Sequence, residues 1–319
     1  MRILLTGSSG WLGRFVAPML RERGHQVVGL DVAVGADTDV VASVADRAAV
    51  ERVFGDYGIE AVIHCGALHK PDIARYSATH FIEVNEIGTL NLLECAVVAG
   101  HDRFVFTSTT SLMIRADVRA GFAGGATEAF WLDEQFGPLL PRNIYGVTKR
   151  AAENLCRLYH ERHGLGIAIL RTGRFFPEED DTLTHPAGPN LKANEFLNRR
   201  LSVRDAARAH LVALEKAPSL GLDTFILSAP PPFVRGDARA LMTDARALIA
   251  SRFPDVDELY AARDWVLPER IERVYDSSRS RDVLGFTYET DFAAILSALR
   301  EGRPLPYHHD PSYTSPKER

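Results

Sequence analysis

No stretch of this chain has the unbroken apolar length that a membrane-spanning helix requires, so a membrane partner is not expected. It opens Met1-Arg-Ile-Leu-Leu-Thr-Gly, without the long apolar segment and cleavage site of a secretory signal, and a cytoplasmic protein is the expectation. Cysteine is scarce. Cys65, Cys95 and Cys156 are odd in number and lack C-x-x-C spacing, which excludes a disulfide framework and a zinc cluster. Three free thiols and no metal site follow. Positive charge is not in excess either: 37 Lys and Arg are scattered among 42 Asp and Glu, for a net charge of −5. With no basic stripe to meet phosphates, nucleic acid is excluded as a partner and a small molecule is expected.

What the chain does have is alternation. Short aliphatic runs at Arg2–Thr6, Gln26–Asp31, Ala61–Cys65, Arg103–Ser108 and Gly166–Arg171 alternate with amphipathic stretches such as Trp11–Arg23 and Ile82–Ala99. That order predicts an α/β fold, a Rossmann-type doubly wound parallel sheet with a ligand crevice at the C-terminal ends of its strands. The sheet domain is expected over 1–173, with part of the C-terminal region returning to it, and a smaller C-terminal substrate lobe over 174–319. Pro and Asp crowd Pro177–Pro189, a helix is expected after Asp205, and a strand is expected to end near Ser228, before the break Ala229-Pro-Pro-Pro. From Pro304 onward the composition predicts a mobile tail without a functional role.

Two groups of residues carry chemistry. Thr6-Gly-Ser-Ser-Gly-Trp-Leu-Gly13 joins the first strand to the first helix, where Gly7, Gly10 and Gly13 let backbone N–H groups approach a pyrophosphate. A tight strand-to-helix turn is the plain alternative. Asp31 closes the second strand, where an acid bonds the adenosine ribose and repels the 2′-phosphate of NADP, which points to NAD; a solvated loop acid or helix cap is the alternative. Further on, Tyr145 and Lys149 stand four apart on one helical segment, so an ammonium is available to favour the phenolate of a general base. Directly upstream, Phe104-Val-Phe-Thr-Ser-Thr-Thr-Ser111 ends a strand in hydroxyls, which either face the same crevice or cap the next turn.

With these motifs and three more in order, the chain resembles the extended short-chain dehydrogenase/reductases, the NAD-dependent epimerase/dehydratase family. The further motifs are Val62-Ile-His-Cys-Gly-Ala67, Asn85-Glu-Ile-Gly-Thr-Leu-Asn-Leu-Leu-Glu94 and Leu170-Arg-Thr172. The resemblance implies that Tyr145 is the acid/base, that Lys149 tunes it and holds the nicotinamide ribose, and that Thr109 bonds the reacting oxygen, with Thr110 as its neighbour in the substrate site. It extends the NAD site over Trp11, Leu12, Ser43, Val44, Cys65, Gly66, Ala67, Asn85, Thr107 and Thr172. It also implies a homodimer through the helices that start at Ile82 and Tyr145.

Departures from the family bear on the substrate. Sugar dehydratases carry Asp-Glu after the catalytic threonine, and Thr110-Ser111 stand there instead, which disfavours dehydration. Arg174 occupies the place of an asparagine found in nucleotide-sugar enzymes and could grip a carboxylate or phosphate; a structural arginine is the alternative. The short Pro177–Asp205 stretch resembles uronate dehydrogenases more than enzymes that wrap a nucleotide, although the arginine by which those hold their substrate is absent. His69 and Lys70 lie at the expected crevice edge, as substrate contacts or as solvated loop residues. Residues 110–142, with Phe130-Trp131-Leu132 inside, are either a lid or a packed insertion. The resemblance implies net hydride transfer between NAD and an alcohol or ketone of a sugar-like or sugar-acid substrate. An epimerase of the UDP-glucose 4-epimerase kind that retains its NAD, an L-threonine dehydrogenase-like enzyme and a non-enzymatic dinucleotide sensor are the competing readings.

Overall fold

The computed structural model describes residues 1–179 and 185–318. Seven parallel strands form the main sheet: β1 (Arg2–Thr6), β2 (Gln26–Asp31), β3 (Val40–Val41), β4 (Ala61–His64), β5 (Arg103–Thr109), β7 (Gly166–Thr172) and β8 (Leu222–Leu227). A separate pair joins β6 (Phe130–Leu132) to β9 (Arg273–Tyr275). The order in the large sheet is β3-β2-β1-β4-β5-β7-β8, so the direction of winding reverses between β1 and β4. Strand ends on the two sides of that switch diverge and leave a crevice.

Burial on both faces explains why these strands read as continuous apolar runs; every residue of β4 and of β7 is buried. One face is covered by the helices Gly13–Glu22 and Val203–Leu220, whose Val16, Leu20, Leu211 and Leu214 pack on Ile3, Ile63 and Leu170. The other is covered by Arg47–Tyr57, Gly88–Val98 and Ile144–His163, through Val50, Leu92 and Cys156. The helix expected after Asp205 starts slightly earlier, because Ser202 caps it and accepts from the Asp205 backbone N–H at 3.0 Å.

One open reading is decided and one expectation corrected. Residues 110–142 are packed: Leu112, Met113, Val118 and Leu132 share a core with Ile226 and Tyr275, and β6 pairs with a strand far along the chain. Of the two readings of this segment the packed insertion holds, with only Thr110 and Ser111 of it at the crevice. The segment from Pro304 is likewise held in place. Tyr307 is buried and donates its hydroxyl to the Pro189 carbonyl at 2.6 Å, and Tyr313 meets Trp11 edge-on at 5.1 Å. The middle of the Pro177–Pro189 stretch, residues 180–184, lies outside the described residues.

Candidate active site

The crevice encloses about 1660 Å³. On its glycine-loop side, Gly7 adopts φ +72°, and a Cβ there would stand 2.7 Å from the Gly66 nitrogen. A Cβ on Gly13 would stand 2.2 Å from the Gly7 carbonyl oxygen. The loop is therefore packed backbone against backbone, with no space for a side chain at either position. Asp31 is fixed beside it, accepting from the Ser9 N–H and the Ala33 N–H, each at 3.0 Å. Val32 to Ala36 line the same edge and supply no cation.

All the site residues singled out in the sequence line this crevice except Asn85. Asn85 sits behind the loop after β4, with its Oδ1 accepting from Leu68 N at 2.8 Å and its Nδ2 donating to Leu68 O at 3.0 Å. Its helix is a π-turn over Glu83–Ile87, which aims the amide at that loop. Asn91 does the same for the other edge, donating to the Val44 carbonyl at 3.0 Å. Both asparagines hold loops whose backbones form the crevice wall.

The reactive groups meet at the end of β5. Thr109 is the last residue of that strand, and its hydroxyl neighbours Tyr145, which lies in the first turn of the helix Ile144–His163 and lines the same crevice. Asn143 starts the helix by accepting from Gly146 N at 2.9 Å, which fixes the direction in which Tyr145 points. Burial pushes the phenol up to about 12, and the Thr109 hydroxyl pulls against it. Burial also pushes Lys149 down to about 8, its ammonium lying 4.4 Å from the centre of the Phe106 ring. Desolvation thus opposes both charged forms and outweighs the help expected from lysine to phenolate.

Behind these groups lies a network that the motifs did not reveal. Glu153 stands one turn beyond Lys149 and takes two bonds from Arg171 at 3.0 and 2.8 Å, with Ser108 Oγ donating to it at 2.6 Å. This buried pair ties the catalytic helix to β5 and β7 at the level of Thr109. The continuation of the Tyr145, Lys149 spacing to an acid at 153 is the signal that could have exposed it. A second contact fixes Thr107. His210 donates from Nδ1 to the Ala206 carbonyl at 2.7 Å, so its Nε2, 2.8 Å away, accepts from the Thr107 hydroxyl. Burial raises the Cys65 thiol to about 12, which makes it inert at this wall.

At the substrate end, Thr110 is buried and donates to the Thr172 carbonyl at 3.3 Å. Thr172 in turn donates to the Ser108 carbonyl at 3.0 Å. Arg174 reaches the crevice and lies 3.4 Å from the buried carboxylate of Glu195, which also pairs with Arg199 and Arg200 at 2.8 and 2.6 Å. Three guanidinium groups thus share one buried carboxylate, with Glu178 and Glu179 on the same side of the crevice. His69 stacks on Phe176 at 5.0 Å and contacts Asp72 at 2.8 Å. Phe176, Tyr313 and residues 315–318 line the crevice and Asp72 is buried beside His69, features that no sequence motif announced.

Residues 3–221 match the model of the NAD dependent epimerase/dehydratase family. The chain belongs to this family. Its seven-stranded parallel sheet is a Rossmann-type fold. L-arabinose 1-dehydrogenase (NAD(P)(+)) of Haloferax volcanii is 33% identical over 177 residues, covering 54% of this chain and 66% of that protein. A dTDP-glucose 4,6-dehydratase of Streptomyces niveus is 31% identical over 189 residues, covering 54% and 53%. The chain spans about half to two-thirds of the length of these relatives. Among solved structures, a short-chain dehydrogenase/reductase superfamily protein from Agrobacterium tumefaciens, crystallised with NAD, superposes with a TM-score of 0.67 at 24% identity. It covers 95% of this chain and 98% of that one. This likeness shows the fold. No helix among the described residues is long and apolar enough to cross a membrane.

Proposed function

We propose that this enzyme is a net dehydrogenase that oxidises an alcohol carbon of a small sugar-like or sugar-acid substrate and releases NADH. The observation that carries the reading is the convergence of Thr109, Tyr145 and buried Lys149 on one crevice at the open end of β5. The residues present fit the dinucleotide. Gly7 and Gly13 let the loop pack with its backbone at the crevice wall, where N–H groups can approach a pyrophosphate, and the fixed carboxylate of Asp31 suits ribose hydroxyls. The loop and the wall at Ser43, Val44 and Cys65 to Ala67 would hold NAD, with Lys149 on the nicotinamide ribose.

When bound, NAD supplies the acceptor for the hydride that leaves the substrate carbon. Tyr145 takes the hydroxyl proton as that C–H bond breaks, and Thr109 bonds the same oxygen while its charge develops. Arg174 gives the substrate end a bidentate donor for a carboxylate. The absence of an Asp-Glu pair after Thr109 argues against elimination of water, and the arabinose dehydrogenase relative supports oxidation of a free sugar. The test is a panel of aldoses, sugar acids, nucleotide sugars and threonine with added NAD, followed at the reduced-nicotinamide band. NADH formed with a sugar or sugar acid supports the reading. Conversion to a stereoisomer without NADH, with NAD that copurifies and does not exchange, favours a retained-cofactor epimerase.

We further propose a division into an NAD half over 1–173 and a substrate lobe over 174–319, and a homodimer formed by the helices that carry Ile82, Ile87, Val147 and Leu158. These side chains are exposed on adjacent helices, an apolar face suited to a second copy. Light scattering of the purified protein tests it. The three free thiols suit the cytoplasm.

A further inference from the structure

We propose that residues 311–318 form a strap that closes over bound NAD and holds it through Tyr313 and Lys317. This rests on the reading of the crevice as an NAD site. The strap is rooted in the smaller lobe by buried Tyr307 and crosses to the opposite side of the crevice. There His308 and Tyr313 meet Trp11 edge-on at 5.2 and 5.1 Å, and the Arg14 guanidinium lies 5.7 Å from the Tyr313 ring. Trp11 belongs to the glycine loop and Arg14 to the helix it opens, so the strap rests on the elements that cradle the diphosphate.

Its far end enters the crevice. Lys317 Nζ lies 2.5 Å from Asp72 Oδ2, 3.2 Å from His69 Nδ1 and 3.4 Å from the Ala67 carbonyl, while Glu318 pairs with Arg75. Asp72 is fully buried, and its Oδ1 has no hydrogen-bond partner. Such a carboxylate is costly unless it is paired, and Lys317 is the cation that reaches it from far along the chain. The crevice still encloses about 1660 Å³ with Tyr313, Ser315 and Lys317 among its lining. The strap is therefore a wall of the site, with space for the dinucleotide beneath it.

An open strap admits or releases the dinucleotide, and a closed one keeps it in place through turnover.

The test is the rate at which bound NADH is displaced by excess NAD, followed by stopped-flow fluorescence. We expect release about tenfold faster from a chain ending at Asp310, and a smaller acceleration from full-length Lys317→Met. In the intact protein, saturating NAD should slow amide exchange over 311–318. If the truncated chain does not fold, Lys317→Met and the exchange data decide. Release and exchange that are unchanged would overturn the strap alone, whereas failure of the intact chain to bind NADH would overturn the NAD reading and the strap with it.

Discussion

On the sheet side of the crevice each group is placed by a strand end or helix start only a few residues away, whereas the strap side is assembled from segments hundreds of residues apart. Thr109 ends β5 and Tyr145 begins a capped helix, so backbone geometry presets both. Lys317 and Asp72 meet only because the small lobe throws the chain back across the opening. The comparison teaches that chemistry is built where geometry is fixed locally, while access is controlled where a few ring contacts and ion pairs can be made and broken.

Changes on the sheet side should therefore damage turnover most. Tyr145→Phe is expected to lower kcat by a factor of roughly 100 to 10,000 while leaving NAD affinity intact, as steady-state rates and calorimetric titration would show. Thr109→Ala should reduce kcat less, because Tyr145 can still take the proton. A phenylalanine variant with normal turnover would make Tyr145 a packing residue and erase the contrast between the walls.

Glu153→Gln sharpens the comparison by loosening the scaffold without touching the crevice. Removing one partner of this buried pair leaves Arg171 unpaired and should cost about 3 kcal/mol in urea unfolding. Asp31→Ala should narrow the preference for NAD over NADP by about tenfold, a difference of about 1.4 kcal/mol, measured by titration with both dinucleotides. The smallest effect concerns pH. Burial lowers His210 from 6.5 to about 4, and His64 moves in the same direction. As pH falls below 6.5 the unfolded chain binds protons that the folded one refuses, so stability should be lost between about pH 6.5 and 4. The urea midpoint at pH 5 should lie below that at pH 7.

Most of the sheet was legible because parallel strands buried on both faces leave uninterrupted apolar runs. β1 and β2 fall where those runs lie, and β4 and β5 differ from them by one residue at an end. β3, β6 and β9 escaped notice because two or three residues carry no period. The glycine loop, Asp31, Tyr145 and Lys149 were visible for the reason that they act locally: each chemical demand is met by fixed spacing. Asn85 was visible as part of a motif, but its direction was not, since a π-turn rotates it toward Leu68. The strap left no trace in composition, because a Tyr and a Lys among prolines and serines read as solvated chain until their distant partners are known.

The central claim is that hydride leaves the substrate carbon for NAD and departs with the released cofactor. Its most direct test is turnover of a substrate identified from the panel and deuterated at the reacting carbon, with mass analysis of the free dinucleotide. The account predicts deuterium in the NADH released to solution and none formed by Tyr145→Phe on the same timescale. Deuterium retained in a stereoisomer of the substrate, with unlabelled NAD still bound to the protein, would contradict it.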